Sequence, residues 1–248
     1  MSLTFWIVAG LSAFLMGLSK GGVPMVSILS VPLMSIFMPP AAAAGLLLPL
    51  YLVADAYAIY LYRGSFSSRN LKILLPSAFV GVAVGFVSVA YISGDFVKLL
   101  LVGISVGYLL NSLKRRLAAV RLDVSRPPVS RGLFWGTLAG LTSYISHAGG
   151  PPYQAYVLPQ RLPRPTYLGT TTIFFAAINT MKMPAFIVAE QVTWVALQQA
   201  VFLIPLALLG AWSGMYFLRR LDDSVFYTVV EIALAVVSVK LLFDVFWR

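Results

Sequence analysis

Long apolar stretches separated by short polar loops run through almost the whole chain. Uninterrupted apolar spans occur at 41–62, 73–92, 96–113, 166–189, 194–217 and 224–246. Each span is close to the ~20 apolar residues that a helix needs to cross a bilayer. With the two interrupted regions described next, the pattern predicts an all-α polytopic membrane protein of about eight to ten helical segments.

Two further apolar regions, 3–38 and 132–158, are each interrupted by a glycine pair where a membrane helix would normally continue. The first break is Ser19-Lys20-Gly21-Gly22-Val23-Pro24, and the second is His147-Ala148-Gly149-Gly150-Pro151-Pro152. Glycine lets the backbone turn sharply, and proline removes a backbone donor. Each region is therefore predicted to form a hairpin of two short helices, which could be re-entrant or could span the membrane with a tilt.

The two halves of the chain follow the same order of segments. Ala9-Gly10-Leu11-Ser12 resembles Ala139-Gly140-Leu141-Thr142, and Gly45 with Asp55 matches Gly169 with Asn179 at the same spacing. These matches predict an internal repeat. Its first copy is 1–113, its second copy is 132–248, and a basic linker at 114–131 separates them. Each copy consists of one broken-helix hairpin and three transmembrane helices.

Charge placement predicts that the two copies have inverted topology. A hairpin that returns to its own side, followed by three spans, ends on the opposite side of the membrane. The loops 63–72, 114–131, 161–164 and 219–223 then share one side and hold most of the 18 lysines and arginines. Because basic residues concentrate in cytoplasmic loops, the linker is predicted to be cytoplasmic and both termini to lie on the opposite side.

Composition narrows the functional classes. Sixty per cent of the residues are hydrophobic and 10% are charged, with a mean hydropathy of +0.89, whereas about a quarter of a soluble domain is charged. The net charge of +10 lies mainly in loops, so membrane topology explains it and no nucleic-acid partner is expected. The chain has no cysteine and one histidine, and it lacks HExxH and Walker A patterns. No enzyme activity, metal site or cofactor is expected.

The breaks are the predicted binding site. Inverted repeats with broken helices are typical of secondary transporters, whose substrates bind near the bilayer midplane where the breaks meet. Helices starting near Val23 and Pro151 would direct unpaired N–H groups into the gap, an arrangement that favours anions. Lys20 adds a positive charge, and His147 adds a donor that can become cationic. The predicted substrate-binding residues are Lys20, Gly21, Gly22, His147, Gly149, Gly150 and Asn179.

Three more polar residues lie inside the spans. An acid within the membrane is costly and usually faces the protein interior or water, so Asp55 is expected either to neutralise a lysine or to couple transport to protons. His147 is a second candidate for coupling, and Lys182 could add positive potential. Simpler interpretations remain open: Lys20 could extend to the membrane surface, His147 could be a packed neutral side chain, and Glu231 could pair locally.

The break motifs resemble those of a known family. Gly17-Leu18-Ser19-Lys20-Gly21-Gly22 and Ser146-His147-Ala148-Gly149-Gly150-Pro151-Pro152 are similar to the paired motifs of the sulfite exporter TauE/SafE family. The resemblance extends to Gly169-Thr170-Thr171 and Asn179. It implies transport of small organosulfur anions such as sulfite, sulfonates or sulfoacetate across a bacterial inner membrane. Transport would be coupled to an ion such as a proton or sodium, or would be simple efflux.

The sequence leaves several alternatives open for the substrate, the mode of transport and the oligomeric state. The spacing of the motifs does not select sulfur anions over carboxylates or phosphate. The same helix breaks could line an anion channel rather than a carrier. The oligomeric state is not indicated by the sequence.

Overall fold

The computed structural model describes residues 2–22, 26–89, 91, 94–117, 127–218 and 222–246. This part of the chain contains ten α-helices and two short 3-10 helices, at Val26–Leu29 and Leu158–Gln160. The α-helices are α1 (Leu3–Gly21), α2 (Ser30–Met34), α3 (Pro40–Tyr62), α4 (Ser68–Ser88), α5 (Gly94–Leu117), α6 (Val129–Ser146), α7 (Gly150–Val157), α8 (Arg164–Val188), α9 (Trp194–Leu218) and α10 (Asp223–Phe246).

Five of these helices are long and apolar enough to cross a membrane, namely α1, α3, α4, α8 and α9. Together with the helical character of the described residues, this confirms the prediction of an all-α polytopic membrane protein. Helix α5 continues to Leu117, beyond its predicted end at 113, so the start of the basic linker is helical. Linker residues 118–126, loop residues 219–221 and the end residues 1, 247 and 248 lie outside the described part.

Both glycine breaks end a helix in the structure. Helix α1 stops at Gly22, whose φ of 125° is a backbone conformation that glycine adopts readily. The Gly22 N–H donates to the carbonyls of Leu18 and Ser19. Helix α6 stops at His147, which has left-handed φ and ψ of 53° and 24°. The His147 N–H bonds the Ser143 carbonyl at 3.0 Å. Each break is therefore a capped helix end, which limits the number of unpaired backbone groups inside the membrane.

The first hairpin has unequal limbs, so the prediction of two short helices was wrong there. Helix α1 has 19 residues, enough to span. Residues 23–25, where the second helix was expected to begin, lie outside the described part. The return limb that follows consists of a 3-10 turn and the five-residue α2. Ser30 Oγ donates to the Ser12 carbonyl of α1 at 2.9 Å, so the return limb is held against α1.

Helix packing is mirrored between the two halves. Helix α1 lies along α9, α4 lies along α6, α3 packs on α8, and α5 packs on α10. A Cβ on Gly17 of α1 would lie 1.9 Å from the Ala207 carbonyl on α9, and one on Gly140 of α6 would lie 2.1 Å from the Ala78 carbonyl on α4. Small residues thus bring the backbones of both helix pairs into close contact, as is common in membranes.

The central helices α3 and α8 contact each other's loops in the same reciprocal way. A Cβ on Gly45, near the start of α3, would lie 1.8 Å from the carbonyl of Gln191, which follows α8. A Cβ on Gly169, near the start of α8, would lie 1.9 Å from the carbonyl of Ser65, which follows α3. The two helices are therefore antiparallel. They cross at the level of the polar residues Asp55 on α3 and Asn179 on α8.

These glycine contacts predict large effects of very small substitutions. In Gly140→Ala and Gly210→Ala the new Cβ would meet the carbonyls of Ala78 and Phe14, each at 2.1 Å. Overpacking of this kind costs about 1–3 kcal/mol, so thermal unfolding of the purified protein should shift to lower temperature. Gly103→Ala on α5 is the matched control, because nothing lies within 4 Å of its Cβ position. Equal midpoints for all three variants would contradict the packing described.

Candidate anion site at the two helix breaks

Lys20, at the end of α1, forms a buried ion pair with Asp55 on α3. Lys20 Nζ lies 2.6 Å from Asp55 Oδ1, and Asn179 Nδ2 of α8 donates to Asp55 Oδ2 at 2.7 Å. Asp55 and Asn179 are 1% and 3% exposed. Lys20 therefore points into the protein rather than to the membrane surface. Asp55 neutralises a lysine, which was one of the two roles expected for it.

A second polar cluster lies at the other break. Lys182 of α8, which is fully buried, places Nζ 3.2 Å from both the carbonyl and the Oγ of Ser143 and 3.1 Å from His147 Nδ1. An ammonium group has three donors and no acceptor, and these three atoms can all accept. If Lys182 Nζ donates to His147 Nδ1, the ring proton of His147 is on Nε2. That atom is buried and makes no hydrogen bond of ordinary geometry within the described residues, although the backbone of Ala44 lies close to the ring.

Tyr51 on α3 contacts both breaks. Its ring stacks on His147 with centroids 5.0 Å apart and planes 9° from parallel. Lys20 Nζ lies 5.0 Å from the Tyr51 ring centre and 5.6 Å from that of Phe175 on α8, within the range of cation–π attraction. The ends of α1 and α6, which belong to opposite halves, are thus joined through one ring.

A cavity of about 70 Å³ opens where these groups meet. Residues of both breaks and of α8 line it, including Lys20, Gly22, His147, Gly150, Thr171 and Asn179. Among the described residues no acidic side chain lines this cavity. Since a water molecule takes about 30 Å³ of liquid, the space suits a few waters or one small oxyanion.

Three residues that line the cavity have buried polar atoms without a hydrogen-bond partner in the described part of the chain. These atoms are His147 Nε2, Gln154 Oε1 and Tyr167 OH. Buried polar atoms in native proteins normally have partners. A ligand or bound water in the cavity would supply them.

Not every residue predicted for the site lies at the cavity. A Cβ on Gly21 would meet the Ala211 carbonyl at 2.1 Å, and one on Gly149 would meet the Ala139 carbonyl at 2.6 Å. Both glycines therefore allow close helix packing, and neither lines the cavity. Lys182 is also absent from the lining and acts on the site through His147.

Tyr51, Phe175, Gln154 and Tyr167 belong to the site but were not predicted from the sequence. A signal existed for the first two, because Tyr51 precedes Asp55 by one helical turn and Phe175 precedes Asn179 by the same distance. Residues one turn apart share a helix face. Gln154 and Tyr167 carried no comparable pattern.

Glu231 lies outside the cavity lining in a separate ion pair. Arg161, whose backbone is left-handed with φ of 44°, places its guanidinium 3.0 Å from Glu231 Oε1. Tyr108 OH donates to the same oxygen at 3.3 Å. Glu231 thus pairs locally, as one of the simpler interpretations expected. Within the described residues, no group of three or more His, Cys, Asp or Glu side chains is placed to hold a metal ion.

A polytopic helical protein that holds a polar cavity and buried charges between two broken helices has the design of a membrane transporter. The sulfite exporter TauE/SafE family model matches residues 7–241, and the chain belongs to this family. The resemblance to this family is thereby confirmed, and the family indicates membrane transport of sulfur anions. Comparison with curated proteins and with solved structures returns no match.

Proposed function

We propose that the protein is a secondary transporter that moves small organosulfur anions of the sulfite, sulfonate or sulfoacetate class across the bacterial inner membrane. The observation that carries this proposal is the cavity at which both helix breaks meet, with Lys20 and His147 on its wall. Membership of the TauE/SafE family supports the substrate class. The lack of an acid in the described lining supports an anion as the ligand.

The anion would bind through donors from both halves of the chain. Its oxygen atoms would accept from Lys20 Nζ, from the second hydrogen of Asn179 Nδ2 and from His147 Nε2. Gly22 and Gly150 line the cavity and have no side chains, so the ligand can approach the backbone closely at both breaks. In a site shielded from water, such charge-assisted bonds are stronger than neutral ones.

The mirrored packing supports inverted repeats around this site. Asp55 and Asn179, which occupy matching positions in the two halves, hydrogen-bond each other, as residues beside a pseudo-two-fold axis would. A further sequence match supports the same relation. Leu74-Leu75-Pro76-Ser77-Ala78 on α4 resembles Leu203-Ile204-Pro205-Leu206-Ala207 on α9, and two glycines follow each segment at the same spacing. Rocking of one repeat against the other would expose the cavity to each side in turn.

Asp55 and His147 are the proposed coupling residues. The Asp55 carboxylate holds Lys20, so an entering anion competes with Asp55 for the same ammonium group. A proton or a sodium ion on Asp55 would release Lys20 to the anion, and His147 could exchange a proton through Nε2. Either ion would link substrate binding to a gradient.

The proposed orientation places both termini in the periplasm and the basic linker in the cytoplasm. The chain has no cysteine, so single cysteines can be added without a background reaction. In intact cells a membrane-impermeant maleimide should label Ala41→Cys and Ala189→Cys, which are exposed on the proposed outer side. Ser68→Cys and Ser130→Cys, exposed on the inner side, should react only after lysis. The reverse labelling pattern would contradict this orientation.

Counterflow in reconstituted vesicles tests the proposed function. Vesicles loaded with unlabelled sulfite should accumulate labelled sulfite transiently, and the rate should saturate with concentration. An imposed proton or sodium gradient identifies the coupling ion. Non-saturating flux without counterflow would instead support the alternative of an anion channel. Competition by carboxylates alone would support the alternative of a carrier for other small oxyanions.

A further inference from the structure

The cavity is elongated along one face of α8. Tyr167, Thr171, Phe175 and Asn179 all line it. They follow one another at four-residue intervals, so they share a face of the helix. Thr171 and Asn179 are two such intervals apart, which is about 12 Å along the helix axis. The cavity therefore has two ends that a ligand can contact separately.

The groups proposed to bind the anion lie at the Asn179 end. Asn179 and Lys20 both contact the Asp55 carboxylate. His147 contacts Lys182, which lies further along α8 in the direction away from Thr171. An oxyanion held by Lys20 and His147 would therefore leave the Thr171 end of the cavity to another part of the ligand.

The Thr171 end is polar but carries no charge in the described lining, where Lys20 alone is a lysine, arginine, aspartate or glutamate. Tyr153 OH and Thr171 Oγ1 are 2.9 Å apart, which places this part of α7 beside Thr171. Gln154, the next residue in α7, lines the cavity one helical turn after Gly150 and is 3% exposed. This end therefore presents a neutral amide and hydroxyl groups.

Gln154 has a hydrogen-bonding group that the protein does not use. Its Oε1 is buried and makes no hydrogen bond within the described residues, whereas buried polar atoms in native proteins normally have partners. An amide offers an acceptor and two donors, and a hydroxyl group can both donate and accept. A hydroxyl group of a ligand would thus satisfy the Gln154 amide in either orientation.

Building on the proposed function, we infer that Gln154 determines specificity by binding a neutral hydroxyl group of the substrate while the oxyanion binds at the Lys20 end. The favoured ligands are sulfonates that carry a hydroxyl group a short carbon chain away from sulfur. A hydrogen bond of about 2.9 Å at each end of the ~12 Å cavity leaves roughly 6 Å for the molecule. A hydroxypropanesulfonate has this length.

Two ligands of nearly equal shape isolate the contribution of the hydroxyl group. In 3-hydroxypropane-1-sulfonate a terminal hydroxyl replaces the terminal methyl of butane-1-sulfonate, and both carry one negative charge. Isothermal titration of the purified protein measures the affinity of each compound without relying on transport. We expect the hydroxyl compound to bind at least about tenfold more tightly, because the methyl group would leave the buried Gln154 amide unpaired.

The Gln154→Met variant should lose this preference, because methionine has a similar length but no amide. The two sulfonates should then bind with similar affinities. Gln198→Met is the matched control: Gln198 is exposed on α9, so the preference should stay as in the wild-type protein. Both variants are checked for a monodisperse elution profile. If Gln154→Met does not fold, the wild-type comparison alone decides.

The outcomes separate the inference from the proposed function. Equal or tighter binding of butane-1-sulfonate by the wild-type protein, or a folded Gln154→Met variant that keeps the preference, would overturn the role of Gln154 while leaving sulfite counterflow intact. Loss of the preference in Gln198→Met as well would also overturn it. Absence of saturable counterflow for sulfite and for both sulfonates would instead remove the proposed function.

Discussion

Replacing Lys20 with methionine is expected to weaken anion binding by about 2–5 kcal/mol, which is more than roughly thirtyfold. Methionine keeps most of the side-chain length but removes the cation that faces the cavity. Initial rates of sulfite counterflow at substrate concentrations below saturation would measure the loss. No other described lining residue of the cavity is a lysine or an arginine, so the effect should be among the largest of any single substitution.

The same substitution also leaves Asp55 without its ion-pair partner. Removing one member of a buried pair costs about 3–5 kcal/mol of stability, so a failure of Lys20→Met to fold would say little about transport. The double variant Lys20→Met/Asp55→Asn removes both charges and is expected to recover the unfolding midpoint but not the transport rate. A stable double variant that transports like wild type would exclude Lys20 from the site.

Replacing His147 with asparagine should reduce counterflow by about ten- to a hundredfold while shifting the unfolding midpoint little. Asparagine tolerates the left-handed backbone that His147 adopts, so the helix break is retained. The variant loses the Nε2 donor and the ring that stacks on Tyr51. The expected loss corresponds to one hydrogen bond to a charged group, which is worth about 1.5–3 kcal/mol.

The control for this variant is Glu190→Asn. Glu190 has the same φ of 53° as His147 but lies exposed in the loop after α8. It should transport at the wild-type rate, which separates the loss of the imidazole from any general effect of asparagine in a left-handed position. Normal transport by His147→Asn would show that the ring is only a packed side chain.

The sequence predicted the polar centre of the site because charges inside a membrane stand out. Lys20, Asp55 and Asn179 interrupt apolar segments, and such residues are kept in a membrane only where they find partners. The structure brings these three together. Tyr167 was missed because aromatic residues are frequent in this chain and nothing local separates a cavity wall from ordinary packing. Tyr51, one helical turn before Asp55, could have been predicted.

The hairpins could be predicted only in part from the sequence pattern. Glycine pairs and prolines correctly marked both breaks, since backbone geometry at Gly22 and His147 follows from local residues. The short return limb after the first break depends on contacts such as that between Ser30 and Ser12, which no local pattern encodes. The roles of Gly21 and Gly149 likewise depend on which helix approaches each of them.

The match between the segments around Pro76 and Pro205 was available in the sequence but lies far from both breaks. The two segments lie on α4 and α9, which pack against α6 and α1 in mirrored fashion, as the proposed inverted repeat requires. Both segments supply the glycines that bring a neighbouring backbone close.

The central claim is that one small anion binds between the two helix breaks. Diffraction from crystals soaked in selenite tests it most directly, because selenium gives an anomalous signal and selenite resembles sulfite. A single strong peak is expected in the cavity, within hydrogen-bond distance of Lys20 Nζ and His147 Nε2. That peak should be absent from crystals of the Lys20→Met/Asp55→Asn variant. A peak at another site, in protein whose counterflow selenite inhibits, would contradict the account.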